Sequence, residues 1–135
     1  MADNERVGAI RHNEGKPQLS FIFEFPNALT AVSKVSEMGA AKYERHNWKK
    51  GFQLSSLLDS ALRHLLAFQN GYDNDNESGL PHLAHAAWNV LAMMENQVSH
   101  PALDNRYKAQ AQKEAKPGCK VCGYQDPRPR LPEQI

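Results

Sequence analysis

Three stretches of this chain place hydrophobic residues at a period near 3.6, and none alternates with the period of two that a half-buried strand requires. In residues 27–45, Leu29, Val32, Val35 and Met38 recur at helical spacing, which predicts a first helix with Asn27 as its cap after Pro26. Residues 54–70 carry a broad apolar stripe of Leu54, Leu57, Leu58, Ala61, Leu62 and Leu65. Ser55 or Ser56 is the expected cap of this second helix, and Asn70-Gly71 its stop. A third helix is predicted over residues 81–98, apolar at Leu83, Ala87, Val90, Leu91 and Met94. Ser78 or Gly79 would close its start, and His100-Pro101 its end. Residues 102–115 suit a weak fourth helix, polar nearly all round.

Outside these stretches the pattern weakens. Residues 1–26 read as an ordered arm, punctuated at Gly15-Lys16-Pro17 and apolar at Phe21-Ile22-Phe23. Residues 116–135 hold four of the eight prolines and two glycines, so little regular structure is expected there. The predicted fold class is all-α: a small helical bundle over residues 1–115, followed by a tail over 116–135.

Composition narrows the function classes. A length of 135 residues with 41% hydrophobic residues supports one modest core. A formal net charge of +1 argues against a binder of nucleic-acid polymer. The apolar runs are too short to span a membrane, and the N-terminus lacks the apolar stretch of a secretory signal. Cys119 and Cys122, the only two cysteines, are no disulfide framework, so a cytoplasmic location is expected. As a C-x-x-C pair they supply two of the four ligands that a closed zinc site needs, and two free thiols are the favoured reading. Three apolar helices make a thin core, which predicts a homo-oligomer, a dimer or tetramer.

The chemistry concentrates around the third helix. His82, His85 and Asn89 stand at i, i+3 and i+7, one narrow stripe expected opposite the Leu83/Ala87/Met94 face. An acidic loop with Asp73, Asp75 and Glu77 leads into that stripe. Carboxylates and imidazoles converging at a helix start suit a divalent cation: Mg2+ or Mn2+ for the carboxylates, with Co2+ or Zn2+ tolerated by the imidazoles. Solvated turn residues and satisfied core histidines are the plainer alternative. The loop lacks the glycine and terminal acid of an EF-hand. His64 on the second helix would face the stripe in an antiparallel hairpin, and the fork of Arg63 matches phosphate oxygens. Lys42, Tyr43, Asn47 and Trp48 offer an aromatic with nearby amides that can stack on a base, although Trp48 can equally cover the core.

Three blocks carry a resemblance. They are Gly39-Ala40-x-Lys42-Tyr43-x-x-x-Asn47-Trp48-x-x-Gly51, then Ala61-Leu62-Arg63-His64-Leu65, then Gly71-x-x-x-Asp75-x-Glu77-Ser78-Gly79-Leu80-x-His82-Leu83-Ala84-His85-Ala86-x-x-Asn89. With Gly15-Lys16-Pro17, and over residues 11–98, the chain resembles the phage dATP/dGTP diphosphohydrolases, akin to MazG-like nucleotide pyrophosphohydrolases. The resemblance implies an all-α, oligomeric, Mg2+- or Mn2+-dependent enzyme. It would cleave a purine deoxynucleoside triphosphate, dGTP with dATP as a second substrate, to the monophosphate and pyrophosphate. In a phage that replaces adenine by 2-aminoadenine, the dGMP formed would supply the modified nucleotide. A phosphohydrolase releasing triphosphate and a non-catalytic, zinc-linked binding module are the alternatives.

The acidic pairs of the wider MazG-like pattern are missing here. His64 falls near the second glutamate of that pattern, and His82-x-x-His85 falls on its E-x-x-D. The expected metal ligands are therefore Asp75, Glu77, His82 and His85, with Glu37 and Glu44 as the other carboxylates available. Glu77, His64 and Arg63 are the expected catalytic groups. Lys16 and Lys42 would hold phosphates, Trp48 and Asn47 would address the purine, and Asn13 and Asn89 complete the substrate contacts.

Overall fold

A computed structural model describes residues 8–108. Three α-helices run over Pro26–Lys42 (α1), Leu54–Gln69 (α2) and His82–Ser99 (α3), with short 3-10 turns at Leu19–Glu24, Asn47–Lys50 and Pro101–Leu103. No β-strand occurs among the described residues, only a bridge between Asn74 and Pro81. The three helices belong to one compact unit that ends at Asn105. The protein is thus all-α, as the hydrophobic period predicts. Residues 104–108 are not helical, and the remainder of the expected fourth helix lies outside the described residues, as do Cys119, Cys122 and the proline-rich tail.

The helix boundaries follow local chemistry, with shifts from the sequence reading. Pro26 is the first residue of α1 rather than its predecessor, where its fixed φ fits and its missing N–H costs nothing. Neither Ser55 nor Ser56 caps α2. The Ser55 N–H instead donates to Oδ1 of Asn105 at 3.0 Å, a cap supplied from across the fold. At the far end, Gly71 at φ 89° lets its own N–H reach the Phe68 carbonyl and the Tyr72 N–H reach Ala67. That paired closure is a Schellman motif, as Asn70-Gly71 predicts. Helix α3 begins after Pro81 with no side-chain cap; the His82 N–H bonds the Asp73 carbonyl at 2.9 Å.

Helices α2 and α3 run antiparallel, since His64 late in α2 meets His82 at the start of α3, while Phe52 before α2 meets Asn96 late in α3. Asn96 is 1% exposed. Its Oδ1 accepts the Phe52 N–H at 3.0 Å and its Nδ2 donates to the Ala92 carbonyl at 2.7 Å, so a buried amide pins the chain ahead of α2 to α3. Gly51 beside it stands at φ 93°, and a Cβ there would come within 2.6 Å of Leu103 and 2.8 Å of His100. Only glycine fits both that dihedral and that gap.

The burial of α3 inverts the expected arrangement. His82, His85 and Asn89 are buried, together with Ala84, Ala86 and Ala92, whereas Leu83, Val90, Leu91 and Met94 are exposed. On α2 only Leu54, Leu57 and Ala61 are buried; Leu62 and Leu66 stand 52% and 61% exposed. The bundle therefore closes over its polar stripe and leaves its larger apolar side chains outside. Small alanines on the inner face make this possible, because they let α3 approach its neighbours around the histidines. The arm at Leu19–Glu24 is also exposed, including Phe21, Ile22 and Phe23.

Candidate functional site

The acidic loop is folded back on itself before it reaches α3. The Asp75 N–H bonds the Leu80 carbonyl at 2.8 Å, and the Gly79 N–H returns to the Asp75 carbonyl at 2.8 Å. Oδ2 of Asp75 accepts the Ser78 N–H at 2.9 Å. These bonds hold the Asp75 carboxylate against the start of α3, and the Ser78 N–H is the main reason its pKa lies below the ordinary carboxylate value.

Three imidazoles meet this carboxylate. Nδ1 of His64 lies 2.9 Å from Nδ1 of His82, and the ring of His64 stacks on His85 with centroids 4.5 Å apart and planes 8° from parallel. Nε2 of His85 sits 2.7 Å from the Ser78 hydroxyl and 4.0 Å from Oδ2 of Asp75. Burial lowers the pKa of His64, and the neighbouring His85 adds to the shift; Asp75 opposes it. Burial also lowers that of His85, again against the pull of Asp75. Both shifts favour the neutral imidazole, the form a metal ligand requires.

One donor atom each from His64, Asp75 and His82 fall within 4.8 Å of one another, a group able to hold a cation. Two imidazole nitrogens and one carboxylate oxygen form a donor set for a borderline ion such as manganese, cobalt or zinc, with positions left for water or phosphate. The set differs from the one expected from sequence. His64, assigned to catalysis, joins the group, whereas Nε2 of His85 is engaged by Ser78. Glu77 is not in it: its side chain is 84% exposed and pairs with Lys42 at 3.6 Å.

A cavity of about 760 Å³ opens beside the histidines. Arg63, His64, His85 and Asn89 line one end of it; Lys42, Asn47 and Trp48 line another part, contributed by the end of α1 and the turn that follows. Glu37 and Glu44 also line it, with Glu44 paired to Lys50. Nδ2 of Asn89 donates to the His85 carbonyl at 2.8 Å. The structure therefore gathers His64, Arg63, Lys42, Asn47, Trp48, His85 and Asn89 on one cavity; Asp75 and His82 do not line it but adjoin His85 and His64.

Asn13 and Lys16 are not brought there. The Asn13 carbonyl accepts the Lys16 N–H at 3.1 Å in an exposed turn of the arm, and neither residue lines the cavity. Two residues outside the expected site set adjoin it. Ser78 contacts His85, and Trp88 lines the cavity three residues beyond it. Trp88 was legible in principle, since it stands at i+3 from His85 and i−1 from Asn89, beside the polar stripe.

Residues 8–106 match the family model described as dATP/dGTP diphosphohydrolase, N-terminal. A dATP/dGTP diphosphohydrolase of Salmonella phage PMBT28 is 36% identical over 97 residues, which cover 72% of this chain and 32% of that relative. The chain thus spans about a third of the length of the relative it matches. No solved structure matches. Through the match over residues 8–106, which include all three helices and every described residue of the site, the chain belongs to the dATP/dGTP diphosphohydrolase N-terminal family.

Proposed function

We propose that this chain hydrolyses purine deoxynucleoside triphosphates, dGTP and dATP, to the monophosphate and pyrophosphate with a divalent metal. The observation that carries the reading is the cavity itself. His64 of the His/Asp donor group lines it, Arg63 and Lys42 are within its walls, and aromatic rings large enough for a purine line the same space.

His64, Asp75 and His82 would hold the ion, and their nitrogen-rich donor set favours Mn2+, Co2+ or Zn2+ over Mg2+, which prefers oxygen. When bound, the ion would neutralise phosphate charge and lower the pKa of a water. The other roles fall to this chain's side chains. Arg63 offers a planar fork to phosphate oxygens, and Lys42 a point charge. Glu77 is the proposed acid/base group: transfer of Lys42 from Glu77 to a phosphate frees the carboxylate beside the substrate. Ser78 fixes the ring of His85, which in turn buttresses His64 by stacking.

The exposed leucines of α2 and α3 support a homo-oligomer, because an interface would take large apolar side chains out of water. A dGMP product would suit a phage that makes 2-aminoadenine nucleotides. The histidine–aspartate donor set keeps one rival in view, a triphosphohydrolase that releases the nucleoside and triphosphate. Chromatography of the products from dGTP tests the reading: dGMP with pyrophosphate supports it, and deoxyguanosine with triphosphate overturns it.

A further inference from the structure

Trp88 is one of two tryptophans in the chain, the other being Trp48. Its indole N–H donates to Oγ of Ser36 on α1 at 2.9 Å, so the ring is tethered between α1 and α3. With its only polar atom committed, the ring can offer the cavity nothing but carbon surface. It lines the same cavity as His64, His85 and Arg63. His85, Trp88 and Asn89 are i, i+3 and i+4 on α3, which places them on one face within about 6 Å along the axis, little more than one turn. A flat ligand resting on Trp88 would therefore direct its substituents one turn back, toward His85 and the His64–Asp75–His82 group.

Trp48 is placed differently. It belongs to the short turn Asn47–Lys50, and the Lys49 ammonium lies 5.9 Å from the centre of its ring. One of its faces thus already has a cationic neighbour.

We infer that Trp88, tethered by Ser36, is the stacking platform for the nucleobase, and that it favours purines over pyrimidines through ring area. The inference rests on the proposed nucleotide substrate and adds the group that selects the base. Base–aromatic stacking tolerates any base because each has a π-face, but its strength grows with the overlap. Ser36 acts as a positioning residue, since its hydroxyl accepts the indole N–H and so holds the ring in place.

Two measurements test this. In steady-state kinetics with dGTP, Trp88→Leu is expected to raise KM about tenfold or more with kcat little changed, because stacking is worth about 1–3 kcal/mol per base. Trp88→Phe should stay close to the wild type, and Ser36→Ala should show a smaller rise than Trp88→Leu. An unchanged KM in a folded Trp88→Leu protein overturns the assignment.

The second measurement does not depend on turnover or on that variant folding. Trp48→Phe leaves Trp88 as the sole tryptophan, and titration with dGMP should quench its fluorescence more strongly than the same concentrations of dCMP. Equal quenching by the two overturns the purine preference. No quenching, while dGMP still binds by calorimetry, overturns the stacking role. If the wild-type chain turns over no purine triphosphate, the proposed function fails, and this titration still decides on Trp88.

Discussion

His64 and His82 face each other Nδ1 to Nδ1 at 2.9 Å across the contact between α2 and α3. Two imidazoles at that distance can share one proton or direct both lone pairs to one cation, and the Asp75 carboxylate beside them favours the cation. Replacing either residue removes a donor but leaves the helix contact in place. His64→Ala and His82→Ala should each weaken Mn2+ binding by about tenfold or more, since even groups behind a metal ligand are worth roughly 10–100-fold. Calorimetric titration of Mn2+ into each protein checks this; unchanged affinity in both would remove the site.

The pH response has a fixed sign. Burial lowers the pKa of His64 and His85 below the ordinary imidazole value. The folded metal-free protein therefore binds fewer protons than the unfolded chain just below about pH 6.5, the reference value. The stability these histidines contribute is present above that pH and is lost as pH falls through their lower folded values. Melting temperature of the metal-free protein should decline on acidification below about pH 6.5, and Mn2+ affinity should decline with it. The lowered pKa of Asp75 carries the same sign at lower pH, because its carboxylate must also be protonated there. A melting temperature that rises between pH 6.5 and 5 would contradict the burial account.

Glu77 and Glu37 separate two versions of the chemistry. Glu77 pairs with Lys42 from the acidic loop, and Glu37 lines the cavity from α1. Glu77→Gln is expected to lower turnover about a hundredfold at saturating Mn2+, the scale of a positioned acid/base group. Its fold should be intact, because the side chain is exposed. If Glu37→Gln is inactive and Glu77→Gln nearly normal, the essential carboxylate is on α1.

The helices, their order and the closure at Gly71 were legible from the 3.6 period and the turn residues. Which face of α3 turns inward was not. Hydrophobicity favours burial of Leu83, Val90, Leu91 and Met94, yet the structure buries His82, His85 and Asn89 beside alanines. The period fixes which residues share a face, not which face meets the rest of the chain when a polar cluster can satisfy its own hydrogen bonds. For the same reason His64 was placed opposite the stripe correctly, but its direct contact with His82 and the engagement of His85 by Ser78 depend on loop geometry that spacing does not encode. Asn13 and Lys16 carry no periodic signal, and their assignment to the site had no support beyond the resemblance.

The exposed apolar faces make their own test. Leu66 and Leu91 are 61% and 52% exposed and contribute little to the monomer's core. Leu66→Glu with Leu91→Glu should leave helicity unchanged and dissociate the oligomer, because unpaired charges at an apolar interface are strongly disfavoured. Light scattering reads the outcome. A wild-type chain that is monomeric at micromolar concentration would contradict the proposed assembly.

The most direct test of the central claim is phosphorus NMR of dGTP during turnover by the Mn2+-loaded protein, followed by the same experiment on His82→Ala. The account predicts dGMP and pyrophosphate as the paired products, with both signals suppressed in the variant. Triphosphate, or dGDP with phosphate, or equal turnover by His82→Ala would contradict it.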